Sequence, residues 1–303
     1  MKKIFTILYI AAVMLSAAAL HAQVRVVTTA TDLASIARSV GGTRVAVESL
    51  TAGNTDLHYV QARPDFILKL NGAGLFVPVG LELEAGWVPL LLNQSRNPKI
   101  RKGAPGYCDA YAGIELLDKP SGEINRQMGD IHPYGNPHYW PDPVNGIVIA
   151  KNIKDSLVKA DPASRDAYEA GFKNFKESSL AKTRALAALM GPHRGKEVVV
   201  YHTEFSYLLR RFSVRQGMMI EELPGVAPSP AHARRVAEYI RARKVPVVLV
   251  SPWSNVGFAG KIAREGGARL LVLPVQTGSG AGTGSYLEMV ETSVRLLHGG
   301  LSQ

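Results

Sequence analysis

Cysteine is nearly absent: Cys108 is the single one in 303 residues. One thiol cannot close an internal disulfide, and any transition-metal site must be assembled from histidine and carboxylate rather than from several thiolates. No cysteine stands at the end of the N-terminal apolar run, where a lipid-anchored exported protein needs one for acylation. After that run no stretch is long and apolar enough to span a bilayer. Hydrolase signatures are missing too, with no His-Glu-x-x-His and no Gly-x-Ser-x-Gly. The glycine-rich stretch Gln276 to Gly284 is not followed by the Lys-Ser or Lys-Thr of a phosphate cradle, so it reads as a flexible loop.

Acidic side chains are in deficit, 25 against 35 Lys and Arg, for a formal charge of +10. The basic residues are dispersed: Arg234, Arg235, Arg241, Arg243 and Lys244 alternate with apolar and small residues, the pattern of a solvated helix face. Nucleic acid is therefore not expected as a partner.

What is present begins with a targeting segment. Lys2 and Lys3 precede an apolar run from Ile4 to about Leu20 that ends in small residues, which is the layout of a secretory signal peptide. Cleavage after Ala22 leaves a chain starting at Gln23. The expectation is a periplasmic protein with no stable membrane anchor.

From there strand and helix alternate. Val24 to Thr29, Val45 to Leu50 and Leu75 to Val79 read as strands, with helices over Thr31 to Ala37, Arg63 to Asn71 and Glu84 to Gln94. Helical spacing then runs through Val144 to Lys159 and again from Pro162 to Met190, the second stretch reading as one unusually long helix. Beyond it the alternation resumes, with strands at Glu197 to Tyr201, Val247 to Val250 and Leu270 to Leu273. Helices fall between them over Glu204 to Phe212, Ala231 to Lys244 and Phe258 to Gly266, and Tyr286 to Leu297 closes the chain. The expected fold is α/β: two lobes (23–143 and 193–303), each a parallel-type sheet flanked by helices, joined through a helical segment (144–192).

Of eight histidines, His21 leaves with the signal peptide, His298 lies in the last helix, and His193 and His232 sit beside helix ends as expected surface residues. His58 follows the second strand, His138 lies in the proline-rich segment Asn136 to Pro143, and His202 directly follows a strand. Ligands of open parallel sheets gather outside the carboxyl ends of strands, so histidines there can converge from distant parts of the chain. Neutral imidazole is the commonest transition-metal ligand. Asp56 and Asp142 are candidates to accept from ligand imidazoles, and Tyr139 and Trp140 to exclude water.

The segment Asn136-Pro137-His138-Tyr139-Trp140-Pro141-Asp142-Pro143 resembles the Asn/Asp-Pro-His-x-Trp-x-Asp-Pro motif of the periplasmic zinc and manganese binding proteins that feed ATP-driven metal importers. Asp56-Leu57-His58, Tyr201-His202-Thr203-Glu204, Pro228-Ser229-Pro230 and Gly284-Ser285-Tyr286-Leu287 support the likeness in order along the chain. The resemblance covers essentially all of the chain beyond the signal peptide. It implies a solute-binding protein that works as a monomer with a membrane permease of an ABC importer.

Carried over residue by residue, it implies metal ligands at His58, His138 and His202. Histidine at the third position, where manganese-binding relatives carry glutamate, favours Zn2+ as the transported ion, with manganese or iron as alternatives. The family's usual fourth ligand, an aspartate before the glycine-rich loop, is missing from Leu273-Pro274-Val275-Gln276-Thr277. Glu204, His132 or water is left to complete the set, Glu204 being the first choice and His132 an accessory site. A zinc-dependent hydrolase and a protein with a structural metal are the rival classes for such a ligand set.

Overall fold

The computed structural model describes residues 23–121 and 132–303. The expected signal peptide, together with Asp130 and Ile131 ahead of His132, lies outside the described residues.

The first lobe is built from β1 (Val24–Thr28), α1 (Thr31–Gly41), β2 (Val45–Ser49), α2 (Pro64–Asn71), β3 (Leu75–Val77) and α3 (Val88–Gln94). Its three strands are parallel in the order β2-β1-β3. Val26 and Val27 of the central strand are both buried, because helices cover both faces of a parallel sheet and alternation is lost. The helix expected from Glu84 starts only at Val88. Glu84 itself is buried, accepting from the backbone N–H of Val79 (2.7 Å) and Gly80 (2.9 Å) and from the Thr29 hydroxyl (2.6 Å), so this carboxylate organises the turn before α3.

Two helices join the lobes. α4 (Pro143–Ala160) starts at Asp142, whose side chain caps it by accepting from Val144 N–H at 2.8 Å. After a short 3-10 turn, α5 (Arg165–Met190) runs for 26 residues, about 39 Å at 1.5 Å per residue. It packs on α4 and α1 of the first lobe. A Cβ at Gly171 would stand 2.1 Å from the carbonyl oxygen of Val40, so only glycine lets α5 and α1 approach this closely.

The second lobe contains β4 (Glu197–Val200), α6 (Ser206–Arg211), β5 (Arg215–Met219), α7 (Pro230–Arg243), β6 (Val247–Val250), α8 (Val256–Gly266), β7 (Arg269–Val272) and α9 (Tyr286–Leu301), the last of which also packs on α5. Its four parallel strands run β5-β4-β6-β7. β5 was not expected from sequence: Arg-Gln-Gly-Met-Met lacks β-branched residues, and as an edge strand it is only partly buried. One continuous apolar core runs through both lobes, taking in Val26 and Leu33 from the first, Tyr139 and Trp140 from the connection, and Phe205, Leu249 and Tyr286 from the second.

Candidate metal centre

The cleft between the sheets holds a cavity of about 300 Å³, and its wall includes His58, His138, His202, Glu204, Glu221 and Gln276. One ring nitrogen from each of His58, His138 and His202 lies within 4.8 Å of those of the other two. The ring centroids are 5.1–5.5 Å apart. Residues separated by up to 144 positions are thus brought to one point.

Each ring is held by its other nitrogen. His58 sits in a 3-10 turn, Leu57–Tyr59, pinned by the Trp87 indole donating to the Leu57 carbonyl at 2.9 Å. Asp56 Oδ1 accepts both the backbone N–H of His58 (3.0 Å) and its Nδ1 (2.8 Å). Asn136 repeats the arrangement two residues before His138, its Oδ1 accepting the backbone N–H at 2.8 Å and Nδ1 at 2.9 Å. For His202, which follows β4, the acceptor comes from outside the local chain: Glu221 Oε2 takes Nδ1 at 2.9 Å. With Nδ1 bonded to an oxygen in all three, the lone pair is left on Nε2. Nε2 of His202 is buried with no partner among the described residues.

The electrostatics fit this assignment. Burial, and then the neighbouring histidines, hold His138 well below the ordinary histidine range, so it is neutral at pH 7. Burial pushes His202 the same way, but the Glu221 hydrogen bond and the charges of Glu204, Glu221 and Asp56 outweigh it, and its value is raised. Burial tends to raise Asp56, yet its bond to His58 prevails and keeps the carboxyl below its usual range.

The segment Asn136 to Pro143 secures the centre to both lobes. Asn136 donates to the Thr203 carbonyl and to Asp118, both at 2.8 Å. Tyr139, fully buried, donates to Val79 O (2.7 Å), and the Trp140 indole to Val275 O (2.7 Å). Asp142, expected near an imidazole, instead binds Arg211 through both oxygens at 2.7 and 2.8 Å, because its place at the start of α4 turns it toward α6.

The remaining candidates stand differently. Glu204 lines the cavity and is buried, but its carboxyl oxygens are outside the group formed by the three histidines. Burial raises it to about 7, against the lowering effect of His202. His132 lies against His58, with Nε2 to Nε2 at 3.2 Å and centroids 5.3 Å apart. Gln276 lies in the stretch before the glycine-rich loop where the resemblance leads one to expect an aspartate. Its amide is engaged at both ends with Thr55, accepting from N–H at 3.3 Å and donating to the carbonyl at 2.9 Å.

His193 and His232, expected at the surface, are buried. His193 pairs with His298 at 2.9 Å, and His232 Nε2 donates to Met219 O at 2.9 Å, so both serve packing away from the cleft.

The model of the periplasmic zinc-uptake complex component A family matches residues 26–300. This chain belongs to that family. Among curated relatives of the chain, the zinc-binding lipoprotein AdcA of Streptococcus pneumoniae is 25% identical over 287 residues, covering 91% of the chain and 55% of AdcA. The chain thus spans about half the length of the first such relatives. The iron-binding protein YfeA of Yersinia pestis is 26% identical, covering 92% of the chain and 86% of YfeA. The zinc-uptake protein ZnuA of Bacillus subtilis is 26% identical, covering 83% and 78%. In fold, a crystal structure of ZnuA superposes with a TM-score of 0.77 at 21% identity, over 91% of this chain and 98% of that one. A manganese-bound periplasmic metal-binding protein from Candidatus Liberibacter asiaticus gives 0.75 at 20% identity, over 91% and 99%.

Proposed function

We propose that this protein is an extracytoplasmic solute-binding protein that captures a divalent transition metal, zinc as the main cargo, and delivers it to the membrane permease of an ABC-type importer. The observation that carries this reading is the convergence of three imidazoles, each held at Nδ1 by a separate acceptor so that Nε2 faces a shared point. His58, His138 and His202 are the ligands. Imidazole nitrogen suits zinc better than the harder manganese ion, and no carboxylate belongs to the group of three. The names of relatives, which include zinc-binding, iron-binding and manganese-transporting proteins, support a metal cargo and leave manganese and iron as alternatives.

Export through a cleaved signal peptide and action as a periplasmic monomer complete the proposal. Among the described residues no helix is long and apolar enough to cross a membrane. Binding displaces protons from the imidazoles, and docking of both lobes on the permease opens the cleft to release the ion. Calorimetric titration of the metal-stripped protein with zinc and then manganese tests this. One tight zinc equivalent, with manganese at least about tenfold weaker, or about 1.4 kcal/mol, supports the assignment. Tighter manganese binding would shift the cargo, and no tight binding of zinc, manganese or, in a further titration, ferrous iron would remove the function.

A further inference from the structure

We infer that His132 closes the metal centre as the fourth ligand, giving a site of four neutral imidazoles; this rests on the capture function proposed above. Three histidines leave one position of a tetrahedron open. In a tetrahedral zinc site with nitrogen at about 2.0–2.1 Å, the nitrogens stand about 3.3 Å from one another. Nε2 of His132 is 3.2 Å from Nε2 of His58, the spacing that two ligands of one ion require. Its ring is 6.4 Å from that of His138 and its nitrogens lie outside the group formed by the other three, so it must move inward to share their ion.

Of the competing groups, Gln276 is committed elsewhere. It spends its amide oxygen and nitrogen on the Thr55 backbone, which fixes it as a clasp between the lobes. Glu204 lines the same cavity and is buried with Oε1 unpartnered among the described residues, and its oxygens, like the nitrogens of His132, lie outside the group of three, so it is the direct competitor that the test includes. Four neutral ligands leave the charge of a dication uncompensated at the first layer, and the layer behind supplies it: Asp56 binds His58 and Glu221 binds His202. His132 therefore sets specificity, since an all-nitrogen site disfavours manganese, whereas the aspartate seen in the family pattern would admit it.

The test compares zinc and manganese affinities of the wild type, His132→Ala, His132→Asp, Glu204→Gln and His138→Ala, together with the number of imidazoles on bound zinc from X-ray absorption. The wild type should show four imidazoles. His132→Ala should keep one zinc equivalent with three imidazoles and lose at least about tenfold in affinity, since even partners behind the ligands are worth tenfold to a hundredfold. His132→Asp should recover affinity and narrow the zinc-to-manganese ratio. Unchanged zinc affinity and imidazole count in His132→Ala, or a larger loss in Glu204→Gln than in His132→Ala, would overturn the inference. No tight binding of zinc, manganese or ferrous iron by the wild type would instead bring down the underlying capture function, and retention of tight zinc by His138→Ala the ligand set it rests on, so the failures are distinct.

Discussion

Glu221, just past the end of β5, reaches Nδ1 of His202 at the end of the adjacent strand β4, with 2.9 Å between oxygen and nitrogen. The same oxygen accepts the backbone N–H of Gly225 at 2.9 Å, so the carboxylate is itself held in place. Such a pair fixes the imidazole tautomer and raises its basicity toward a metal.

Replacing Glu221 with Gln should therefore weaken zinc binding about tenfold to a hundredfold. Gln retains the shape and an acceptor oxygen but not the charge, so thermal stability of the metal-free protein should change little. Competition titration against a chelator of known affinity reads the first quantity and calorimetry the second. Equal affinity in variant and wild type would show that the carboxylate does not act through the metal.

Zinc binding should also weaken as pH falls. His202 is raised above its ordinary value by Glu221 and its acidic neighbours, so it takes up a proton that competes with the metal at higher pH than His138 does. His138, held low by burial, stays available to lower pH. Zinc affinity measured from pH 8 to pH 5 should fall progressively and be accompanied by proton release on binding. An affinity flat across this range would contradict ligation by these imidazoles.

Asp32 on α1 accepts from both the backbone N–H (3.0 Å) and the hydroxyl (2.9 Å) of Thr277, tying the first lobe to the loop after β7. It is fully buried, and desolvation raises its carboxyl to about 7 despite the two bonds to Thr277, which lower it. A folded-state value above the unfolded one means the folded chain binds the proton more tightly. The contribution to stability is then complete below about pH 4 and is lost as pH rises toward 7. Asp32→Asn keeps an acceptor for Thr277 and cannot ionise, so it should gain on the wild type across that window by on the order of a few kcal/mol. Urea unfolding at pH 4.5 and pH 7.5 measures the difference, and a gap independent of pH would count against a raised carboxyl.

Gly171→Ala should destabilise the protein. The added methyl group has backbone, not a flexible side chain, 2.1 Å away, and the contact between α5 and α1 must open. A cost of about 1–3 kcal/mol is expected from overpacking, less the helix-propensity gain of alanine over glycine. Chemical denaturation reads it, and a stabilised variant would mean that the helices separate freely.

Much of this was legible in the sequence because it rests on local patterns. Buried parallel strands are apolar runs, and the long helix shows as unbroken helical spacing through Pro162 to Met190, of which α5 is the α-helical part. β5 was missed because an edge strand needs little apolar character, and the residue that holds His202 lies just beyond it, out of reach of any local rule. The partner of His138 did leave a local sign. Asp56 and Asn136 each stand two residues before a histidine, and both short side chains accept that histidine's backbone N–H and its Nδ1. Reading Asx-x-His as a unit would have selected Asn136 over Asp142. The buried settings of His193 and His232 depend on packing between distant elements, which sequence position does not reveal.

The central claim, that His58, His138 and His202 hold the metal, is tested most directly by calorimetric zinc titration of the metal-stripped wild type beside a His138→Ala/His202→Ala double variant, with circular dichroism to confirm that the variant is folded. One tight equivalent in the wild type and none in the folded variant is the predicted result. A folded variant that still takes up one zinc ion at wild-type affinity would contradict it.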